Sequence, residues 1–171
     1  RLNSDGSLDS SFDRPEIGPC SANTIAIQPD GKIITIGNYK SNDGTDNYNI
    51  ARYKDDGSPD PSFFIGTGFG QSSYYYPFVL LLQKDGKILI GGSFNLFNDM
   101  VQNSLVRLNS DGTLDSTFDP GKGVGWEFGE TYSNETARVS CLALQADGRV
   151  IVGGLFSSYS DTEHHSIVRL Q

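Results

Sequence analysis

Along this chain, apolar and polar residues alternate in short runs that stop at Asp-Gly turns, and the pattern comes round three times. Asn23–Gln28 and Val139–Gln145 alternate and run into Pro-Asp-Gly and Ala-Asp-Gly, the punctuation that closes a β-hairpin. The runs that follow, Lys32–Ile36, Lys87–Ile90 and Arg149–Val152, are apolar on both faces, as a strand covered on both sides must be. A third run, Asn49–Tyr53, Ser104–Leu108 or Ser166–Leu170, is predicted to precede a fourth strand at Ser7–Phe12, Ser58–Phe63 and Thr113–Phe118. The middle copy of the fourth carries Pro59 and Pro61. Proline cannot donate to a ladder, which predicts an outer edge. No segment shows helical periodicity, and no low-complexity linker divides the chain.

Two phrases underlie the pattern. R-L-N-S-D-G-S-L-D-S-S-F-D at Arg1–Asp13 returns at Arg52–Phe64 and Arg107–Asp119, with a short echo at Arg169–Gln171. Between these copies lie Q-P-D-G-K-I-I-T-I-G from Gln28, Q-K-D-G-K-I-L-I-G-G from Gln83 and Q-A-D-G-R-V-I-V-G-G from Gln145. Recurrence at a period of tens of residues marks a repeat architecture. The spacings say which joints are fixed. Gln to the strand-ending Gly is always nine residues, that Gly to the repeat Arg fifteen, and Arg to the repeat Phe eleven. Phe to the next Gln alone varies, at sixteen, twenty and twenty-seven. The units run approximately over 14–64, 65–119 and 120–171, with 1–13 completing the last unit in cis or in a neighbouring copy.

Composition narrows the class without naming a chemistry. In 171 residues there are 20 Gly and 7 Pro but one Met and one Trp, a turn-rich β composition. A formal net charge of -8 argues against nucleic acid, whose phosphates require clustered Lys and Arg. No apolar run reaches about eighteen residues, so no membrane-inserted helix is expected. The chain opens on Arg in mid-repeat, as expected of a piece of a longer polypeptide or a processed form. Cys20 and Cys141 occupy different repeat positions and make no recognisable disulfide framework or metal pair; free thiols are expected, with Cys141 buried in a strand.

The interleaved phrases resemble the delta-60 repeat family, and the resemblance covers nearly the whole chain. It implies β-propeller blades of four antiparallel strands, an extracellular or surface-associated location, no cofactor, and no enzymatic activity carried by the repeat. Lys54, Pro59, Phe64 and Asn38 depart from the template. Three blades are fewer than the four to eight or so with which propellers close. The expected fold class is therefore all-β, three four-stranded repeat units, closed in one of three ways. Two copies join with Ser166–Leu170 beside Ser7–Phe12 of the partner, or further blades lie in the parent polypeptide, or the units form a threefold β-prism or β-trefoil.

Candidate chemical sites are few. Asn3-Ser4-Asp5-Gly6-Ser7-Leu8-Asp9 and its echo from Asn109 resemble half a calcium loop, but hairpin turns with Asn and Asp accepting backbone hydrogen bonds explain the same letters. Metal is not expected. The repeated Arg1, Arg52, Arg107 and Arg169 are expected to pair internally with Asp9, Asp60 or Asp115. His164 and His165 are adjacent and in an extended segment point to opposite faces, which does not suit a shared metal. The glycine-rich stretches from Gly66 and Gly121 open no helix after a strand, so they are read as flexible connections. The sequon at Asn134-Glu135-Thr136 matters only in a eukaryotic secretory host.

Aromatic residues outside the template are the remaining candidates. Phe12, Phe63 and Phe118, with Tyr39, Phe94 and Phe156, sit at repeat positions and are expected in the core. Phe69, Tyr74, Tyr75, Tyr76, Trp126, Phe128 and Tyr132 belong to the variable connections. Insertions in repeat proteins gather on one face, often the binding face, and Tyr and Trp supply contact area at little entropic cost. The two readings are a surface over 65–77 and 120–136 for a protein or a glycan, and aromatics that cover the ends of neighbouring units. The expected function is a non-enzymatic structural or interaction module of a larger extracellular or surface assembly. The alternative is a carbohydrate-binding, lectin-like domain.

Overall fold

Six turns of one design set the register of the molecule. In the first inner turn the Gly31 amide donates to the Gln28 carbonyl at 2.9 Å, and the Gln28 amide donates to the Lys32 carbonyl at 2.7 Å. The same pair of bonds recurs from Gln83 and Gln145, and again from Asn3, Lys54 and Asn109. Each turn places its Gly at φ between +85° and +94°, a conformation that side chains with a Cβ resist. The Asp-Gly signal is therefore a three-residue hairpin loop closed by a glycine bulge.

The computed structural model describes residues 1–12, 21–40, 46–69, 76–126 and 137–171. Unit one contains β1 (Ser21–Ile27), β2 (Ile33–Lys40) and β3 (Asp46–Tyr53). Unit two contains β4 (Tyr76–Leu82), β5 (Ile88–Ser93), β6 (Leu96–Phe97), β7 (Met100–Val101) and β8 (Leu105–Leu108). Unit three contains β9 (Val124–Gly125), β10 (Arg138–Leu144), β11 (Val150–Leu155), β12 (Ser158–Tyr159), β13 (Thr162–Glu163) and β14 (Ile167–Leu170). The main sheets are antiparallel and ordered β1-β2-β3, β4-β5-β8 and β10-β11-β14. Each first strand carries a register shift at the same template position, between Ala22 and Thr24, Pro77 and Val79, or Val139 and Cys141. A bulge of this kind bends the strand and strengthens its twist.

Where a fourth strand is expected, each unit shows a single bridge. Leu2 pairs with Leu8, Tyr53 with Pro59 and Leu108 with Leu114, and no further ladder follows. The reason lies in the next residue. The Asp9, Asp60 and Asp115 amides donate to the Arg carbonyls, while their own carbonyls accept from the Phe amides in a new turn. The segment curls instead of extending. The all-β class and antiparallel units stand, with three-stranded sheets each bearing one bridged arm.

Two hairpins unforeseen in the fifteen-residue step appear as β6–β7 and β12–β13. Their two-residue loops are Asn98-Asp99 and Ser160-Asp161, all at φ between +47° and +62°. Such loops fit the strand twist without glycine; Asn98, Asp99 and Asp161 are of the types that tolerate this region, and Ser160 occupies it beside Asp161.

The core lies between the sheets. Ile34, Ile36 and Ile50 of unit one pack with Leu80, Ile88, Ile90, Val106 and Leu108 of unit two, joined by Phe69, Phe94 and Phe97. The opposite face of unit two supplies Leu89 and Leu105 to a second cluster with Val139, Val150, Val152, Phe156 and Val168 of unit three. Full burial of each such side chain stabilises by roughly 1.5–3 kcal/mol. β5 is therefore apolar on both faces because both are covered, as its sequence predicts. Gly91 shows how closely units meet: a Cβ there would strike Val139 of the next unit.

The outer faces of units one and three are open. Ile25 and Ile27 are 63% and 68% exposed, although their template counterparts Leu80 and Leu82 belong to the first core. Ile167 is 61% exposed where its counterpart Leu105 is fully buried. Cys141 is a free, exposed thiol on the same outer face, which corrects the expectation of burial. Its counterpart Val79 is covered by unit three, whereas nothing described covers Cys141. Cys20 lies outside the described residues.

Candidate interaction site

An Arg, an Asp and a Phe form the same clasp three times. Arg1 Nε lies 2.6 Å from Asp9 Oδ2, Arg52 Nε 2.9 Å from Asp60 Oδ2 and Arg107 Nε 2.7 Å from Asp115 Oδ2. Each guanidinium also lies over a ring, of Phe12, Phe63 or Phe118, at 5.2, 4.6 and 4.7 Å from the centroid, which adds a cation–π attraction. The other carboxylate oxygen accepts from the amide and hydroxyl of Ser11, Ser62 or Thr117. The expected internal Arg–Asp pairing is thus present for Arg1, Arg52 and Arg107, whereas Arg169 forms no such pair among the described residues.

These donors set the carboxylates' acidity. Ser11 first and then Arg1 hold Asp9 down from 3.8 to about 2. The Ser62 hydroxyl, working against burial and helped by Arg52, brings Asp60 from 3.8 to about 2. Burial pushes Asp115 upward, but Thr117, Lys87 and Arg107 together outweigh it and leave the group well below the usual carboxylate range. Every clasp carboxylate is ionised at neutral pH.

The clasp also holds the next unit. Arg52 Nη1 donates to the Ser110 carbonyl, and Arg1 Nη1 donates to the equivalent Asp55 carbonyl at 2.9 Å. The Phe64 amide donates to Asp111 at 2.9 Å, and a Cβ on Gly112 would meet the Phe63 ring at 3.0 Å. In unit two the third clasp instead faces an open cleft of about 620 Å³. Arg107, Thr117 and Phe118 form one wall, and Val168, Leu170 and Gln171 form the other. Tyr159, whose phenol is pushed up to about 12 by burial and then by Asp119, lies at its rim.

The clasps, the inner turns and the buried second strands all fall within 1–12, 28–63, 83–118 and 145–171. A family model described as a domain of unknown function (DUF5122) beta-propeller matches those same residues, more than half of the chain. The chain belongs to the DUF5122 beta-propeller family. This agrees with the delta-60 resemblance of the two phrases. No curated protein and no solved structure matches the chain.

The aromatic candidates all lie between the DUF5122 segments, and the structure separates them. Phe69 is corrected to a core residue: it is buried with its ring 4.7 Å from Phe94 and 5.0 Å from Phe97. Trp126 is partly buried against the second core. Tyr76 opens β4, its backbone paired with Ser93. Tyr74, Tyr75, Phe128 and Tyr132 lie outside the described residues. Among the described residues, Phe69 and Trp126 pack in two different core clusters.

The glycine-rich connections are likewise packed rather than flexible. Gly68 N donates to Asn98 Oδ1 at 2.8 Å, and Phe69 bridges Phe97. In the equivalent place β9 pairs with β12, and Ser160 N donates to the Gly123 carbonyl at 2.9 Å. The signal was present in the letters: G-T-G-F-G and G-K-G-V-G begin at the same distance after Phe63 and Phe118. Phe69 and Val124 are thus one repeat position.

The Asp-Gly turns use their own side chains. Asp5 Oδ1 accepts from the Ser7 amide at 2.9 Å and its hydroxyl at 2.6 Å, while Asn3 Nδ2 donates to Ser7 Oγ at 2.9 Å. Those bonds are the hairpin-turn role of these residues. Among the described residues no group of three His, Cys, Asp or Glu is placed to hold a metal. His165 Nε2 lies 2.9 Å from Glu163 Oε1, and His164 borders the cleft.

Proposed function

We propose that this chain is a non-enzymatic structural and interaction module whose sheets serve as propeller blades completed by further copies. Its place would be a larger extracellular or surface assembly, as the delta-60 resemblance implies. The observation that carries this reading is the pair of open outer faces. Ile25 and Ile27 at one end, and Ile167 at the other, occupy template positions whose counterparts are buried or partly buried against a core wherever two units meet. A surface patterned like an internal interface is complementary to the opposite end of a like molecule. This is a head-to-tail relation, which closes into a ring or continues as a filament according to its rotation.

Two copies would supply six units, within the range of about four to eight at which propellers close. The partner proposed is a second copy of this chain, with four-stranded propeller blades proposed for the docked pair; further blades of a longer polypeptide would cover the same faces without self-association. Sedimentation over a range of concentrations tests the reading. Association should appear for the unaltered chain and weaken for Ile27→Lys and Ile167→Lys. A monomer at all concentrations, indifferent to both changes, would sink it.

A further inference from the structure

We propose that Asp85-Gly86, in the inner turn of unit two, is a site of spontaneous conversion of aspartate to isoaspartate, and that the outer turns hold the same dipeptide against it. The reaction is intrinsic to an Asp-Gly pair. The Gly amide nitrogen attacks the protonated side-chain carboxyl, a new C–N bond forms, and the carboxyl's hydroxyl leaves with the amide proton as water, giving a five-membered succinimide. Water then adds back at either carbonyl. Addition at the former main-chain carbonyl breaks the original peptide C–N bond and leaves isoaspartate, unchanged in mass but with one more carbon in the backbone. Glycine favours the attack because no Cβ hinders close approach to its backbone.

In all six described turns the Gly amide donates to the carbonyl three residues back, so the side chains decide which turn reacts. The outer turns hold the Asp oxygen twice. Asp111 Oδ1 accepts from the Thr113 amide at 3.0 Å and from its hydroxyl at 2.7 Å, and Ser7 holds Asp5 Oδ1 in the same way at 2.9 and 2.6 Å. Gly112 is crowded as well: a Cβ there would meet the Phe63 ring and the Phe64 carbonyl, each at 3.0 Å. Little room is left beside its nitrogen.

The inner turns carry Lys32, Lys87 or Arg149 where the outer ones carry Ser or Thr, and the hydroxyl bond is lost. In two of them a cation takes its place: Lys32 Nζ lies 3.4 Å from Asp30 Oδ2, and Arg149 Nη1 lies 3.0 Å from Asp147 Oδ2. Lys87 instead reaches Asp115 at 2.9 Å and Asn109 at 3.2 Å. Among the described residues, exposed Asp85 is left with the Lys87 amide alone, at 3.2 Å. A Cβ on Gly86 would find Ser110 Cβ no nearer than 3.7 Å, so the nitrogen is open to attack. The neighbouring Lys84 Nζ donates to the Ala146 carbonyl of unit three at 2.9 Å. An added backbone carbon at Asp85 would therefore fall beside a contact between units.

Ageing of the full chain in warm, mildly acidic buffer tests this, followed by mapping with a protease that cuts before aspartate but not before isoaspartate. Isoaspartate should accumulate at Asp85 about fivefold faster than at Asp5 or Asp111, where one further hydrogen bond must break. It should form about twofold faster than at Asp30, whose exposed ion pair is weak. Ser7→Ala removes the hydroxyl from an exposed turn and should speed conversion at Asp5 about fivefold. In urea the sites should converge. Equal rates at Asp85 and Asp111 in the folded chain, or the same ranking kept in urea, overturn the assignment of Asp85 by the fold. An intact Asp85 in a folded chain whose unfolded form converts there overturns the site itself, and indifference of Asp5 to Ser7→Ala overturns the role given to the hydroxyl.

Discussion

Arg52 and Asp60 face each other at 2.9 Å with side chains only 6% and 5% exposed. In the N-terminal copy Arg1 keeps the same geometry at 46% exposure. One sequence motif thus makes a buried ion pair where units flank it and a solvated one where they do not.

Removing the carboxylate from the buried pair should be the costlier change. Asp60→Ala leaves Arg52 with Ser110 and Ser62 as partners but with its charge uncompensated, which is expected to destabilise by roughly 3 kcal/mol. Asp9→Ala should change stability far less. Urea unfolding of the two variants compares them, and equal losses would show that burial does not set the strength of the clasp.

Acid should loosen the fold through these same groups. Asp9 and Asp60 titrate at about 2 in the folded chain rather than 3.8. Between those values the unfolded chain binds protons that the folded chain refuses. Stability is therefore fully present above about pH 4 and falls as the pH drops toward 2. Asp60→Asn should flatten that fall; unfolding free energies measured from pH 6 to pH 2 show whether it does.

At the second inter-unit contact, Gly91→Ala should destabilise by about 1–3 kcal/mol through crowding against Val139 and Val79. Shortening the neighbour relieves the clash. In Val139→Ala the same glycine substitution should cost much less, so the two changes should be non-additive in a thermal double-mutant cycle. Additive effects would place the strain elsewhere.

Phe69→Ala should lower stability by about 3–5 kcal/mol, because it empties a ring site between Phe94 and Phe97. Calorimetry is the direct measurement. An unchanged melting temperature would return Phe69 to the list of surface contacts.

The exposed Cys141 offers a chemical probe of the outer face of unit three. In a Cys20→Ser background an aromatic disulfide reagent should label it without denaturant. Labelling should slow as protein concentration rises and copies cover the face. A rate independent of concentration would argue that this face stays open.

Much of this architecture was legible in the letters. Asp-Gly turns report a backbone conformation that few other residues adopt, so turn positions followed from composition alone. The buried second strands were readable because β5 is apolar on both faces. The Arg–Asp pairs were readable because their spacing never changes. The small hairpins at Asn98-Asp99 and Ser160-Asp161 were not, since two residues in the left-handed region without glycine leave little trace in a propensity pattern.

What the sequence by itself determined is the local geometry: the turns, the alternation of faces and the invariant distances from Gln to Gly to Arg to Phe. All of these depend on neighbours a few residues apart. Tertiary structure decided which identical motifs are buried. Phe69 became core by bridging Phe97, the fourth strand ended at one bridge because Asp60 turned back on Arg52, and Cys141 stayed exposed while Val79 did not. Burial depends on what a neighbouring unit places against a face, and that neighbour lies tens of residues away.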